Sequence, residues 1–418
     1  YMLVPLFLLF GLHPLAGAYT AVLVSISALI ILYFTMLRFF DRHVALWCAA
    51  LFAVSPGLVR EGNTPLYQSF LPPFLFLAIF TLLNFVEAKS VAKKNISVLC
   101  LGIFVGICLE LHFLAISFAV ALFLLLLIQG RNTLRFIPMY LLGLVIGVVP
   151  TLLFEVRHEF LNTKLLLAYF SNSQSGSVSR TVHEFVFPWV KETAGLFGGD
   201  SIILGTILFF FCIACVIFSQ STDQKQNILR QLLIIVAGVV FVFQLGLRSF
   251  EPHYTVPAGI VLLLFIPVWI RQQKDLLRRL SLSLLAFLIV LNGFIVFRGT
   301  FANHGYFMPA GWSLDKIMKV NEVISNDAKN LEHVNVASLL DGDTRMYPLR
   351  YTLDRENIQL DSVEQFPQSK HLYVLSSSDQ QTITNATVWE ITSLRPFIIG
   401  NSWDLGEGIH LYRIDRNE

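Results

Sequence analysis

The feature that most constrains this chain is a series of apolar blocks, each about long enough to cross a bilayer. A helical crossing takes about 20 apolar residues, with a range of roughly 17–25. Ten such blocks run over residues 15–37, 44–59, 69–87, 96–110, 112–128, 136–154, 201–219, 229–247, 254–271 and 280–297. The chain is 55% hydrophobic and only 14% charged, with a mean hydropathy of +0.66. A soluble domain is about a quarter charged, so a water-facing fold has no way to hide this much apolar surface. The reading is a polytopic α-helical membrane protein with about ten membrane helices. The opening run 1–12 is too short to span and is expected to lie in the interface.

Charge sets the orientation. The formal net charge of +2 conceals a split: residues 298–418 hold 11 Lys+Arg against 16 Asp+Glu, and residues 1–297 hold 19 against 12. The basic excess lies in the membrane part, where it sets topology; it does not point to nucleic acid. If residues 38–43 lie inside and the spans alternate, the inner loops carry 13 Lys+Arg and the outer loops six. Merging residues 96–128 into one crossing would turn Arg271, Lys274, Arg278 and Arg279 outward. Two helices with a turn near Glu110 to His112 are therefore expected.

The tail 298–418 then lies outside the cytoplasm. Residues 312–330 place Ile317, Val320, Val323 and Ile324 at helical spacing. Short β-type runs follow at 333–339, 371–375, 387–391 and 408–414, separated by turn residues such as Asp341-Gly342-Asp343. The expected organisation is an interfacial helix over 1–12, a transmembrane domain over 13–297 and a small extracytoplasmic α/β domain over 298–418.

The five cysteines, Cys48, Cys100, Cys108, Cys212 and Cys215, all sit inside apolar blocks. They indicate neither a disulfide framework nor a zinc cluster. The spacing Cys212-x-x-Cys215 matches a redox motif, but on an apolar helix it reads as packing. No phosphate-cradling glycine loop and no zinc-protease motif occurs.

Ionisable groups at membrane depth cost about 2.5–3.5 kcal/mol each on insertion scales and mark sites by default. Here they gather at the outer edge: Arg60, Glu61 and Asn63; Glu110 and His112; Glu155, Arg157, His158 and Glu159; Arg248, Glu251, His253 and Tyr254. Prolines cluster at the same level (Pro56, Pro65, Pro72, Pro73, Pro150, Pro257), and irregular backbone there is tolerable only where it lines protein or a wet cavity. A polar cavity at the outer leaflet is expected. Arg60, Arg157 and Arg248 are the phosphate candidates, because a guanidinium forks onto phosphate oxygens. Glu61, Asn63, Glu110, His112, Glu155, His158, Glu251, His253 and Tyr254 are the pocket candidates. Each group has a plainer reading. Glu110 and His112 fit a satisfied polar pair at a helix end, Glu155 to Glu159 an interfacial anchor and helix cap, and Glu251 to Tyr254 a helix start. Carboxylates beside histidines also admit a divalent cation, but no ligand spacing marks one, so no metal residue is assigned.

Several strings are similar to a known family. They are Phe10-Gly-Leu-His-Pro-Leu-Ala-Gly, Phe40-Asp-Arg-His-Val-Ala-Leu-Trp-Cys-Ala-Ala-Leu-Phe-Ala-Val-Ser-Pro56, Leu58-Val-Arg-Glu-Gly-Asn63, Gly106-Ile-Cys-Leu-Glu-Leu-His112 and Pro150-Thr-Leu-Leu-Phe-Glu-Val-Arg-His-Glu-Phe-Leu-Asn162. In the tail, Leu372-Tyr-Val-Leu, Trp389-Glu-Ile and Gly408-Ile-His-Leu-Tyr fit the same subgroup. The chain resembles the C-type membrane glycosyltransferases, in the branch of protein O-mannosyltransferases and bacterial aminoarabinose transferases. The resemblance implies sugar transfer from a polyprenyl-phosphate donor to an extracytoplasmic lipid, glycan or protein acceptor. It also implies a catalytic acidic pair just after the first family helix, upstream of Tyr1. On that reading no residue here is the general base, and this stretch alone would be inactive.

Location points the same way. A nucleotide sugar is not expected outside the cytoplasm, so a donor there is lipid-borne. It needs an apolar groove, cations for its phosphate and a carboxylate base. Two rival readings stand beside this one. A transporter or flippase fits the helix count, but its polar groups would lie at the midplane, where these blocks are apolar. A non-catalytic cell-envelope assembly protein on the same scaffold would lack the acidic pair.

Overall fold

The computed structural model describes residues 4–417 except 12, 14, 65–66, 173–180, 220, 247–249, 251, 302–310 and 341–342. The chain divides into two compact units, Tyr1–Phe297 and Arg298–Glu418.

The first unit is helical: α1 (Val4–Phe10), α2 (Ala16–Phe39), α3 (Arg42–Val54), α4 (Pro56–Asn63), α5 (Leu71–Glu87), α6 (Val91–Leu111), α7 (Ile116–Ile128), α8 (Arg131–Leu134), α9 (Ile137–Gly147), α10 (Val149–Arg157), α11 (Leu161–Asn172), α12 (Val182–Phe197), α13 (Ile202–Phe218), α14 (Gln224–Gly246), α15 (Val256–Gln272) and α16 (Asp275–Thr300). Among the described residues five helices are long and apolar enough to cross a membrane, and three bent pairs raise that to eight; α5 and α7 are shorter apolar helices. The protein is a multi-pass membrane protein. α6 stops at Leu111 and α7 starts at Ile116, so residues 96–128 form two helices, the arrangement the loop charges require.

Two expected spans are broken. The block 44–59 divides into α3 and α4 with a 62° bend, and 136–154 divides into α9 and α10 with another of 62°. The first break has a local cause. Ser55 leaves the helical region and accepts the Leu58 N–H at 3.4 Å, and Pro56 occupies the first position of α4, where its missing N–H costs nothing. At the second break Pro150 opens α10 in the same way. α13 matches the block 201–219, but α12 meets it at 98°, through a turn in which Gly199 takes φ +58.

The closest helix packing joins α6 to α9. Gly102 and Gly106 face Gly143 and Gly147, a small-xxx-small pattern on both helices. A Cβ on Gly106 would fall 2.6 Å from the Leu144 carbonyl oxygen and 2.7 Å from the Gly147 Cα. Only glycine lets these backbones touch.

The second unit is a four-stranded sheet of order β1-β2-β4-β3, built from α17 (Leu314–Asp327), β1 (Val334–Ser338), α18 (Tyr347–Arg355), β2 (His371–Ser376), α19 (Gln380–Asn385), α20 (Trp389–Thr392), β3 (Phe397–Asp404) and β4 (His410–Arg416). β1 and β2 are parallel, with α18 in the crossover, and the other pairs are antiparallel. One face packs Val320, Ile324, Leu353 and Tyr373, and the other Phe366, Val374, Ile383 and Ile414. The unit is α/β. The expected strand at 387–391 is instead the single turn α20, which the Ile391 and Thr392 N–H groups close on the Val388 carbonyl. The strand sequence reasoning passed over is β3. Its alternation is interrupted by a register shift between Ile399 and Ser402, and its residues are mostly exposed at the sheet edge.

Candidate active site

The described residues expected at the outer edge fall into three groups. The first forms where α4 meets α12. The Ser55 hydroxyl donates to the Gly195 carbonyl at 3.2 Å, and a Cβ on Gly57 would lie 3.2 Å from that same oxygen, so the α3–α4 elbow rests directly on α12. This contact brings the Arg60 guanidinium to 3.7 Å from the Asp200 carboxylate, with side chains 19% and 34% exposed. Glu192 on α12 lies within electrostatic reach of Arg60, Glu61 and Asp200. Asn63 ends α4 and is exposed. Sequence reasoning named Arg60, Glu61 and Asn63 but missed Glu192 and Asp200. Both lie outside the apolar blocks that were searched for embedded charge, in a stretch read as a loop. The readable signal was Thr181 and Glu184, a capping box that starts α12.

The second group joins the end of α6 to the 3-10 turn Pro252–Thr255. His112 is 6% exposed and stacks on Phe113, while its edge meets His253 at a centroid distance of 5.9 Å. Tyr254 packs against His253, Phe113 and Phe250. The structure therefore does bring His112, His253 and Tyr254 together. Arg248 and Glu251 lie outside the described residues. Among the described residues no three His, Cys, Asp or Glu side chains gather as metal ligands.

The third group is structural. Glu110 reaches from α6 to accept the Thr151 N–H at 2.8 Å, so it caps the first turn of α10. Glu155 is 6% exposed and accepts the N–H groups of Asn162 and Thr163 at 3.1 and 3.0 Å; it caps α11. His158 stacks on Phe154, and Arg157 is exposed at the end of α10. Arg157 thus lies on the helix that Glu110 caps, and it is not among the residues that line the cavity or act on Glu192.

An apolar cavity of about 480 Å³ opens beside the first group, among α12, α13, α14 and α15. Its walls include Trp189, Phe209, Val216, Phe241 and Leu262, and its polar lining comes from Glu192, Thr193 and Thr255. Trp189 is held in place because its indole N–H donates to Gln244 Oε1 at 3.0 Å, while Gln244 Nε2 donates to the Phe185 carbonyl at 2.9 Å. A long apolar ligand with a polar head fits this arrangement: the walls take the chain, and the Glu192 region adjoins Arg60.

Comparison with known proteins agrees with this architecture. Residues 1–154 match the family model of dolichyl-phosphate-mannose-protein mannosyltransferases. A search of curated protein sequences finds no match. Among solved structures, ArnT from Cupriavidus metallidurans bound to undecaprenyl phosphate superposes with a TM-score of 0.60 at 14% identity, covering 99% of this chain and 86% of ArnT. The apo form of ArnT gives 0.60 at 13%. The apo Archaeoglobus fulgidus oligosaccharyltransferase gives 0.52 at 11% identity, covering 88% of this chain and 59% of that one. Its first 154 residues match the mannosyltransferase family model, and over 99% of its length the chain, a multi-pass membrane protein, has the fold of ArnT.

Proposed function

We propose that the protein is a membrane glycosyltransferase that takes a sugar from a polyprenyl-phosphate carrier and passes it to an extracytoplasmic acceptor. The observation that carries this reading is the apolar cavity among α12–α15, whose Glu192 lies within reach of Arg60. The isoprenoid chain lies in the cavity and the phosphate faces Arg60, the one arginine candidate among the described residues with a place beside it. Asp200 lies 3.7 Å from that guanidinium and is itself 34% exposed, a loose pair that leaves the charge open to a phosphate. Undecaprenyl phosphate is the ligand of ArnT, which supports a polyprenyl carrier here. The sparse positive charge of the outer loops supports an outward-facing site and tail.

The test is photo-cross-linking in native membranes with a diazirine-bearing polyprenyl phosphate. Adducts on Phe185 to Leu196, Phe209 to Ile217 or Leu233 to Phe241, competed away by unlabelled polyprenyl phosphate, are the expected result. Labelling that maps to other helices, or that the competitor leaves unchanged, would remove the reading.

A further inference from the structure

Lys274, just before α16, and Arg278 and Arg279 near its start are all exposed, and none of the three forms an ion pair among the described residues. The only carboxylate in that first turn is Asp275, so residues 274–279 keep a net charge of +2. Arg271, just before, is spent on Asp41 at 2.5 Å. α16 is a peripheral helix, with 22% of its apolar window buried. Its outward stripe of Leu276, Leu280, Phe287, Val290 and Phe294 is exposed, as befits a surface solvated by acyl chains. Arg279 flanks this stripe by helical spacing, whereas Arg278 falls on the opposite side of the helix. Lys274 precedes the helix, beside Asp275, whose φ is +40.

We propose that this end of α16 is a headgroup site for an anionic phospholipid. The three cations gather at the end of α16 where it leaves the hydrocarbon, and the stripe that Arg279 flanks receives the acyl chains. A zwitterionic headgroup brings its own cation against the cluster, whereas a phosphatidylglycerol headgroup brings net negative charge. Juxtamembrane cations each contribute about fivefold to association with an anionic surface. This site is independent of the donor cavity and does not rest on the proposed activity.

The experiment counts retained lipids by native mass spectrometry of the full chain, released from nanodiscs of phosphatidylcholine with and without phosphatidylglycerol. The wild-type protein should retain phosphatidylglycerol at least about tenfold more than phosphatidylcholine. The triple variant K274Q/R278Q/R279Q should lose that preference, and K89Q/K93Q/K94Q should keep it. A second measurement needs no variant: raising salt from about 0.1 to 1 M shortens the screening length to about 3 Å and should abolish the wild-type preference. Equal retention of the two lipids by the wild-type protein, or a preference that survives both the triple variant and high salt, overturns the proposal.

Discussion

Glu155 and Thr163 are joined twice: one carboxylate oxygen accepts the Thr163 backbone N–H at 3.0 Å and its hydroxyl at 2.7 Å. The other oxygen takes the Asn162 N–H at 3.1 Å. A side chain at the end of one helix therefore satisfies the open donors at the start of the next. Glu110 does the same for α10 through Thr151. Two carboxylates that read from sequence as pocket residues thus fix the path of the α10–α11 segment.

Replacing Glu155 by Ala should loosen α11 first. Loss of a capping acceptor costs about 1 kcal/mol, so hydrogen exchange across Leu161–Asn172 should quicken by about fivefold while α9 is unchanged. Unchanged exchange in α11 together with weaker polyprenyl-phosphate labelling would return Glu155 to the site.

The α6–α9 contact leads to a sharper expectation. Valine at Gly106 or Gly143 puts side-chain atoms into the opposing backbone, and separating the helices forfeits the packing that holds them in lipid. Either variant should lose most monodisperse protein on purification. Gly299, with nothing within 4 Å of its absent Cβ, should accept Ala with no loss, since Ala is the better helix former. Recovery of G143V at wild-type yield and melting temperature would mean that the two helices do not pack this closely.

Much of this architecture was legible because membrane crossing is an averaged property: twenty apolar residues announce a span whatever packs on it. What averaging hides is where a span breaks. Ser55-Pro56 and Val148 to Pro150 lie inside apolar blocks that score as single helices, yet each is a bend of 62°. In sequence the candidate site reads as one edge and not as a set of contacts. Arg60, His112 and Glu155 are expected at one edge from the alternation of spans, but only tertiary packing assigns Arg60 to Asp200, His112 to His253 and Glu155 to a helix end. Glu192 was missed because a half-buried carboxylate on an amphipathic helix looks, in sequence, like any exposed one. In the tail, β3 escaped because Gly400 and Asn401 break the alternation that marks a strand.

Arginine 60 and arginine 157 can be told apart by experiment. Arg60 adjoins the cavity through Glu192, and Arg157 does not. Charge-assisted bonds to a phosphate contribute about 1.5–3 kcal/mol, so R60A should lower polyprenyl-phosphate labelling by about tenfold or more. R157A should leave it within about twofold. The reverse order would move the phosphate site to α10.

The C-terminal unit should show an acid-sensitive step of its own. Asp327 on α17 accepts the Tyr373 hydroxyl at 2.6 Å and the Arg413 guanidinium at 2.7 Å. Burial alone would raise its carboxyl pKa, but these two hydrogen bonds, the Arg413 charge and the Asn401 amide outweigh it and hold the group below the usual carboxylate range. The same burial and the same bond from the other side push the Tyr373 phenol up. A carboxyl depressed on folding contributes stability above its unfolded value of about 3.9. That contribution fades as pH falls from there through the folded value, because the unfolded chain then takes up the proton first. Thermal melts followed by tryptophan fluorescence between about pH 5 and 2.5 should therefore show a decline that D327N flattens, with the variant already less stable at pH 7. Trp403, whose ring lies 6.1 Å from that of Tyr373, is the natural reporter. A variant whose melting temperature tracks that of the wild-type protein across the whole range would show that the Asp327 bonds carry no pH-dependent stability.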